Sequence, residues 1–199
     1  MAKKNPPQKL SKSNSELDTA ELTFLAIKAM RGGRDDEALK LLQRATDRDP
    51  KDGNPHHLRG AILASRGEIK EAIAAMSQAL SLNPELAGAR FQLGLLHFTS
   101  GNIFEAQTVW QAFEDLGERH PLRLFKTGML HLAKDEFEDC VALLELGISL
   151  CDTESINKDM RRVIEKVRAV VPAKPPAQKE SQHVMLSRYA QAPDDKNKA

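Results

Sequence analysis

The sequence predicts an all-α fold: a right-handed α-solenoid of four helical hairpins closed by one further helix. Three observations carry that prediction. Small residues recur at a fixed offset of 34 positions in three registers: Ala26, Gly60, Gly94 and Gly128; Ala38, Ala72, Ala106 and Cys140; and Gly33, Gly67, Gly101 with Asp135. A fixed period of this length marks an array in which each unit is one supersecondary element. Apolar residues keep helical spacing between these registers, and no stretch alternates apolar with polar as a half-buried strand would. Composition agrees, since 5% aromatic residues and eleven glycines suit helices better than sheets.

Gly53 to Pro84 shows the unit plainly. Gly60 lies mid-way along a first amphipathic run, Gly67 separates it from a second run carrying Ala72 and Ala79, and Pro84 closes the unit. Gly60 and Ala72 mark where the two helices of a hairpin approach, and a larger side chain there would overpack the contact at about 1 to 3 kcal/mol. Leu63, Ile69, Ile73, Met76 and Leu80 are then left to fill the space between hairpins. One hairpin cannot bury both faces, so neighbours must stack, giving an inner surface lined by the first helix of every unit.

These residues carry a resemblance to the tetratricopeptide (TPR) repeat family, whose pattern is Trp-x2-Leu-Gly-x2-Tyr, Ala-x3-Phe, Pro. The third unit reads Arg90-x2-Leu93-Gly94-x2-His97 and Ala106-x3-Trp110; the second reads His56-x2-Arg59-Gly60-x2-Leu63, Ala72-x3-Met76, Pro84. The first gives Leu22-x2-Leu25-Ala26-x2-Ala29, Ala38-x3-Leu42, Pro50, and the fourth Leu124-x2-Thr127-Gly128-x2-His131, Cys140-x3-Leu144. The fourth departs most: Asp135 replaces the turn Gly, Cys140 the first Ala, Gly147 the second, and Asp152 the Pro. The third has Glu118 where Pro is due and Pro121 three residues late, so a longer exit loop is expected. The resemblance covers about residues 17 to 153. It implies a helical solenoid and is nearly silent on activity.

In chain order, residues 1–16 hold four Lys against one Glu, net +3, with no apolar run behind the positive start. A disordered basic arm is expected rather than a secretory signal. Residues 17–154 form the four repeats. In Ser155 to Val170 the stripe Ile156, Met160, Val163, Val167, Val170 stands opposite Lys158, Arg161, Arg162, Lys166 and Arg168, which reads as a capping helix over 155–171. Residues 172–199 form a tail, expected to be disordered after Pro172, Pro175 and Pro176, with one short apolar motif in 181–191. There Val184, Met185, Leu186 and Tyr189 share one side at helical spacing. Its five basic and three acidic residues make the tail +2; with +1 overall, −4 is left for residues 17–171, and removing the +3 of residues 155–170 leaves −7 for the repeats. An acidic body argues against nucleic acid as a partner. No run approaches the ~20 apolar residues of a membrane helix, so no membrane insertion and a cytoplasmic location are expected.

Catalytic signals are thin. Cys140 and Cys151 lie eleven apart without a CxxC or Cys/His companion, and read as small buried thiols. His56 and His57 are adjacent and so point to different helix faces, while His97 and His131 occupy equivalent slots in neighbouring repeats. There is no HExxH, no Gly-rich phosphate loop and no GxSxG. No metal, no cofactor and no enzyme activity are expected.

Spacing on each first helix points to a partner-binding groove lined by Phe24, Ile27, His57, Ala61, Phe91, Gln92, Leu95, Phe98, Phe125, Lys126 and Met129. Phe91, Leu95 and Phe125 fall on faces that the hairpin contacts do not need. TPR domains that bind acidic chaperone C-termini carry Lys, Asn and Arg at matching positions; here those positions hold Thr23, Ile27, His57, Ala61 and Phe91, so that clamp is absent. The expected function is a protein-binding adaptor holding a peptide or helix of another protein in its concave face, within a bacterial assembly or secretion machine. The alternative is a chaperone for a secreted or aggregation-prone subunit. The tail motif is a further candidate ligand for the groove, in its own molecule or a neighbour's.

Overall fold

The structure is a computed structural model that describes residues 17–170. Within them the chain is helical throughout. Hairpins pair α1 (Thr19–Arg31) with α2 (Asp35–Arg48), α3 (Gly53–Ser65) with α4 (Ile69–Leu82), α5 (Ala87–Thr99) with α6 (Ile103–Trp110), and α7 (Pro121–Leu132) with α8 (Phe137–Leu150); α9 (Glu154–Val170) follows. The expectations for residues 1–16 and 172–199, including the motif in 181–191, lie outside the described residues.

Helix starts follow local chemistry. Asp18 accepts from the Glu21 backbone N–H at 2.8 Å while Glu21 accepts from the Asp18 N–H, a capping box that fixes the start of α1. Asp52 caps α3 by accepting from the Asn54 N–H at 2.9 Å. The turns inside the hairpins need left-handed backbone: Gly33, Gly67 and Gly101 have φ of 68°, 79° and 83°, and Asp135 takes the same turn at φ 61°. Asp tolerates this region better than most side chains, which is how the fourth hairpin closes without its glycine.

The registers behave as close crossings. A Cβ on Gly60 would stand 2.7 Å from Met76 Cγ and 3.2 Å from the Ala72 carbonyl, and one on Gly128 2.9 Å from Leu144 Cδ2. Ala38, Ala72, Ala106 and Cys140 are all fully buried.

The third hairpin is irregular. Its second helix has eight residues where α2, α4 and α8 have fourteen, and it tightens into a 3₁₀ turn at Gln111–Phe113. The register puts Phe113 where the other repeats have Ala45, Ala79 and Gly147. A ring cannot fit a slot shaped for a methyl group, so the backbone tightens and Phe113 turns inward, 3% exposed. The exit segment is longer than in the other repeats, as Pro121 leads one to expect, and Arg123 Nη1 pins it by donating to the carbonyls of Glu114 and Leu116 at 3.2 and 2.7 Å. The 3₁₀ turn packs on α7 in place of the usual close contact between successive hairpins.

On α9 the buried stripe is Ile156, Met160, Ile164 and Val167, with Val163 half-buried and Val170 73% exposed. That corrects the expected stripe by one position, because a helix at 3.6 residues per turn carries Ile164 rather than Val163 under its axis. The helix packs on α8; Asn157 Nδ2 donates to the Cys151 carbonyl at 2.8 Å, and Arg168 pairs with Glu145 at 2.6 Å. Cys140 is buried, which pushes its thiol up to about 11, whereas Cys151 is half-buried rather than enclosed.

Candidate functional site

The first helices of the hairpins, α1, α3, α5 and α7, place the sequence-derived groove residues on two different surfaces. In the first two repeats they stay open. Phe24 is 67% exposed, and with Ala20, Thr23, Ile27, Asp52, Asn54, His57 and Leu58 it lines a cleft of about 390 Å³ between α1 and α3. A second hollow of about 370 Å³, bounded by Leu17, Ala20, Glu21 and Leu25, shares Phe24 as its rim. Ala61 is half-buried one turn beyond His57, packed against the core of the middle repeats.

His57 forms the back wall of this cleft. Its Nε2 lies 2.8 Å from Gln92 Oε1, so the ring joins α3 to α5. Burial drives its pKa down while the Gln92 contact opposes the shift, and the net effect lowers it, favouring the neutral ring. A neutral imidazole donating through Nε2–H gives the cleft a fixed, uncharged wall. Charge enters from the rim, where Asp52 and Glu21 are acidic and, among the described residues, no Lys or Arg lines either hollow.

In the last two repeats the same positions are filled from within. Phe91 and Phe125 are fully buried, and Met129 is 1% exposed. This overturns their placement as groove contacts. Phe91 stacks on Trp110 at 5.7 Å between centroids and meets Phe125, tilted, at 5.7 Å; Phe98 stacks on Trp110 at 6.1 Å. Trp110 Nε1 donates to the Phe91 carbonyl at 3.0 Å. The two phenyl rings, one from α5 and one from α7, thus join the third and fourth hairpins. Phe125 also takes the space that Gly147 vacates, since a Cβ there would stand 2.4 Å from its ring. Leu95 and Phe98 pack half-buried against this aromatic core.

Lys126 is likewise corrected from groove contact to buried cation. It is 5% exposed and paired with Glu114 from the exit segment, whose carboxyl it holds below the usual range. The opening beside it, about 300 Å³, is lined by the polar Gln107, Thr108, Gln111 and Glu114 together with Leu130.

Sequence spacing missed Asp52, Asn54 and Leu58 as wall residues. Part of the signal was present: Leu58 stands 34 positions after Phe24, so the register that selects Phe24 selects Leu58 as well.

Fold and open face together define a helical-repeat solenoid with an open, largely apolar cleft of about 390 Å³ between its first two hairpins. Residues 60–101 match the family model of the TPR repeat, and the hairpins before and after keep the same 34-residue registers, so the fold is a TPR-type helical solenoid. A chain of the APC/C hetero-tetramer Cut9–Hcn1 is similar at a TM-score of 0.64 and 19% identity, over 75% of this chain and 30% of that one. A thermophilic TPR protein of Thermus thermophilus is similar at 0.61 and 18%, over 86% and 97%. Yeast Tom70 is similar at 0.56 and 16%, over 90% of this chain and 37% of that one. The likeness at these identities is one of fold, and this chain spans well under half the length of the Cut9–Hcn1 and Tom70 chains. No curated protein matches the chain. No helix among the described residues is long and apolar enough to cross a membrane.

Proposed function

We propose that this protein is a non-enzymatic adaptor that captures a short segment of another protein in the cleft between α1 and α3. The observation that carries the reading is Phe24, a large ring left 67% exposed over an apolar hollow. A stretch of apolar surface that water does not favour, bounded by polar groups, is a common mark of a binding site. The acidic rim and the net −7 of the repeats favour a segment in which a bulky apolar side chain stands beside Lys or Arg. His57, uncharged and bonded to Gln92, serves as a wall rather than as a proton carrier.

Burial of Phe24 by a partner is worth roughly 1.5 to 3 kcal/mol. Phe24→Asp removes that burial and adds a charge, so binding falls by at least about tenfold with helicity unchanged. Affinity capture with mass spectrometry, run with the full chain and with Phe24→Asp, tests this. A stoichiometric partner lost on substitution supports the adaptor; capture of many secreted or unfolding-prone chains supports the chaperone alternative. A partner retained by Phe24→Asp removes the cleft from the account.

A further inference from the structure

We propose that the cleft between α1 and α3 also accepts the tail motif of a second copy of this chain, making a head-to-tail contact. This rests on the reading of the cleft as a binding site. The motif, Ser181 to Gln191, gathers Val184, Met185, Leu186 and Tyr189 beside Arg188, which is the chemistry the cleft selects: bulky apolar groups next to a cation, from a tail of net +2, against an acidic rim.

Geometry decides between a molecule's own tail and a neighbour's. The tail leaves from Val170, at the far end of the stack, and α9 runs antiparallel to α8, its start tied to Cys151 and its last turn to Glu145. A linker of residues 172–180 spans at most about 30 Å, at ~3.3 to 3.6 Å per residue. The repeats within easy reach are the last two, and their inner face is filled by Phe91, Phe125 and Met129. The open cleft lies beyond α7 and α5, three first-helix positions away at roughly 8 to 10 Å each. The end of α9 adds an axial offset along a helix about 25 Å long. Reaching it in cis demands a chain stretched almost straight across the body. A neighbour's tail meets no such constraint. Because the cleft and the tail are different surfaces at opposite ends, the contact is heterologous and adds copies without closing on itself as an isologous pair would.

Sedimentation velocity on the full chain over a range of concentrations tests it. Wild type associates as concentration rises, Phe24→Asp stays monomeric, and so does a Leu186→Asp, Tyr189→Asp chain. An equimolar mixture of the two variants regains a dimer, because one supplies an intact tail and the other an intact cleft. Wild type that is monomeric throughout, association indifferent to either variant, or a mixture that stays monomeric overturns the proposal. A wild type that stays monomeric yet captures another protein in a Phe24-dependent way leaves the cleft reading standing while the tail contact fails. A Phe24→Asp chain that binds and associates like wild type removes both.

Discussion

The first two hairpins and the last two solve the same packing problem with different side chains. In the first pair the buried slots hold Ala26, Ala29, Ala38, Ala45 and Ala72 with Leu22, Leu42 and Met76, divided between two separate small cores, the second of which reaches Leu93 and Leu96 of α5. In the second pair one larger core gathers Trp110, Phe91, Phe113 and Phe125 and continues through Leu144 into Met160 and Ile164 of α9. Around the methyl-filled slots of the first pair Phe24 remains in solvent, whereas in the second pair Phe91 and Phe125 turn into their own core. A periodic sequence can thus carry a binding surface over part of its length and a stabilising block over the rest.

The contrast breaks most visibly if a ring is removed. Phe91→Ala deletes a fully buried side chain that touches both Trp110 and Phe125. The expected loss is about 3 to 5 kcal/mol. Since repeats depend chiefly on their neighbours, the aromatic block melts first while the alanine-cored hairpins persist. Differential scanning calorimetry should show two transitions where wild type shows one; an unchanged melt with weakened partner binding would return Phe91 to the groove.

A smaller effect sharpens the comparison at one register position. A Cβ on Gly94 would lie 2.1 Å from Trp110 Nε1, whereas one on Gly60 meets Met76 Cγ at 2.7 Å. Methionine can rearrange; an indole anchored by its bond to the Phe91 carbonyl cannot. Gly94→Ala should cost about 2 to 3 kcal/mol and Gly60→Ala about 1. Equal melting shifts for the two would show that the rings are no stiffer than the methionine.

The smallest effect is one of pH. His57 has a folded-state pKa lowered by burial, so the unfolded chain binds its proton more readily. Its contribution to stability is complete above the ordinary histidine value of about 6.5 and is lost as pH falls from there through the folded value. His57→Gln should flatten the acid-side dependence of the melting temperature. A slope identical to wild type would locate that dependence elsewhere, with His56, also lowered, as the next group to change.

How much could be read from residues alone follows from the range of the forces involved. Hairpin turns and close crossings depend on local backbone freedom, so Gly33, Gly67, Gly101 and the Ala38 register were legible. The longer third exit was legible because proline placement is local too. The burial of Phe91 and Phe125 was not, since it depends on contacts among α5, α6 and α7 between rings far apart in the chain. The partial clue was an exchange of sizes: Phe125 is large where Gly147 is small, as Trp110 is large where Gly94 is bare. Lys126 misled for a similar reason, because its partner Glu114 belongs to the irregular segment.

The contact between Gly94 and Trp110 also makes the two positions a single choice. The first repeat carries Ala26 at the slot of Gly94, opposite Leu42 at the slot of Trp110. Leucine leaves room for a methyl group at that crossing, whereas the indole lies 2.1 Å from where a Cβ on Gly94 would stand. Exchanging one member of the third repeat's pair alone upsets the crossing, so an engineer who wishes to graft the first repeat's surface onto the third must move both residues together.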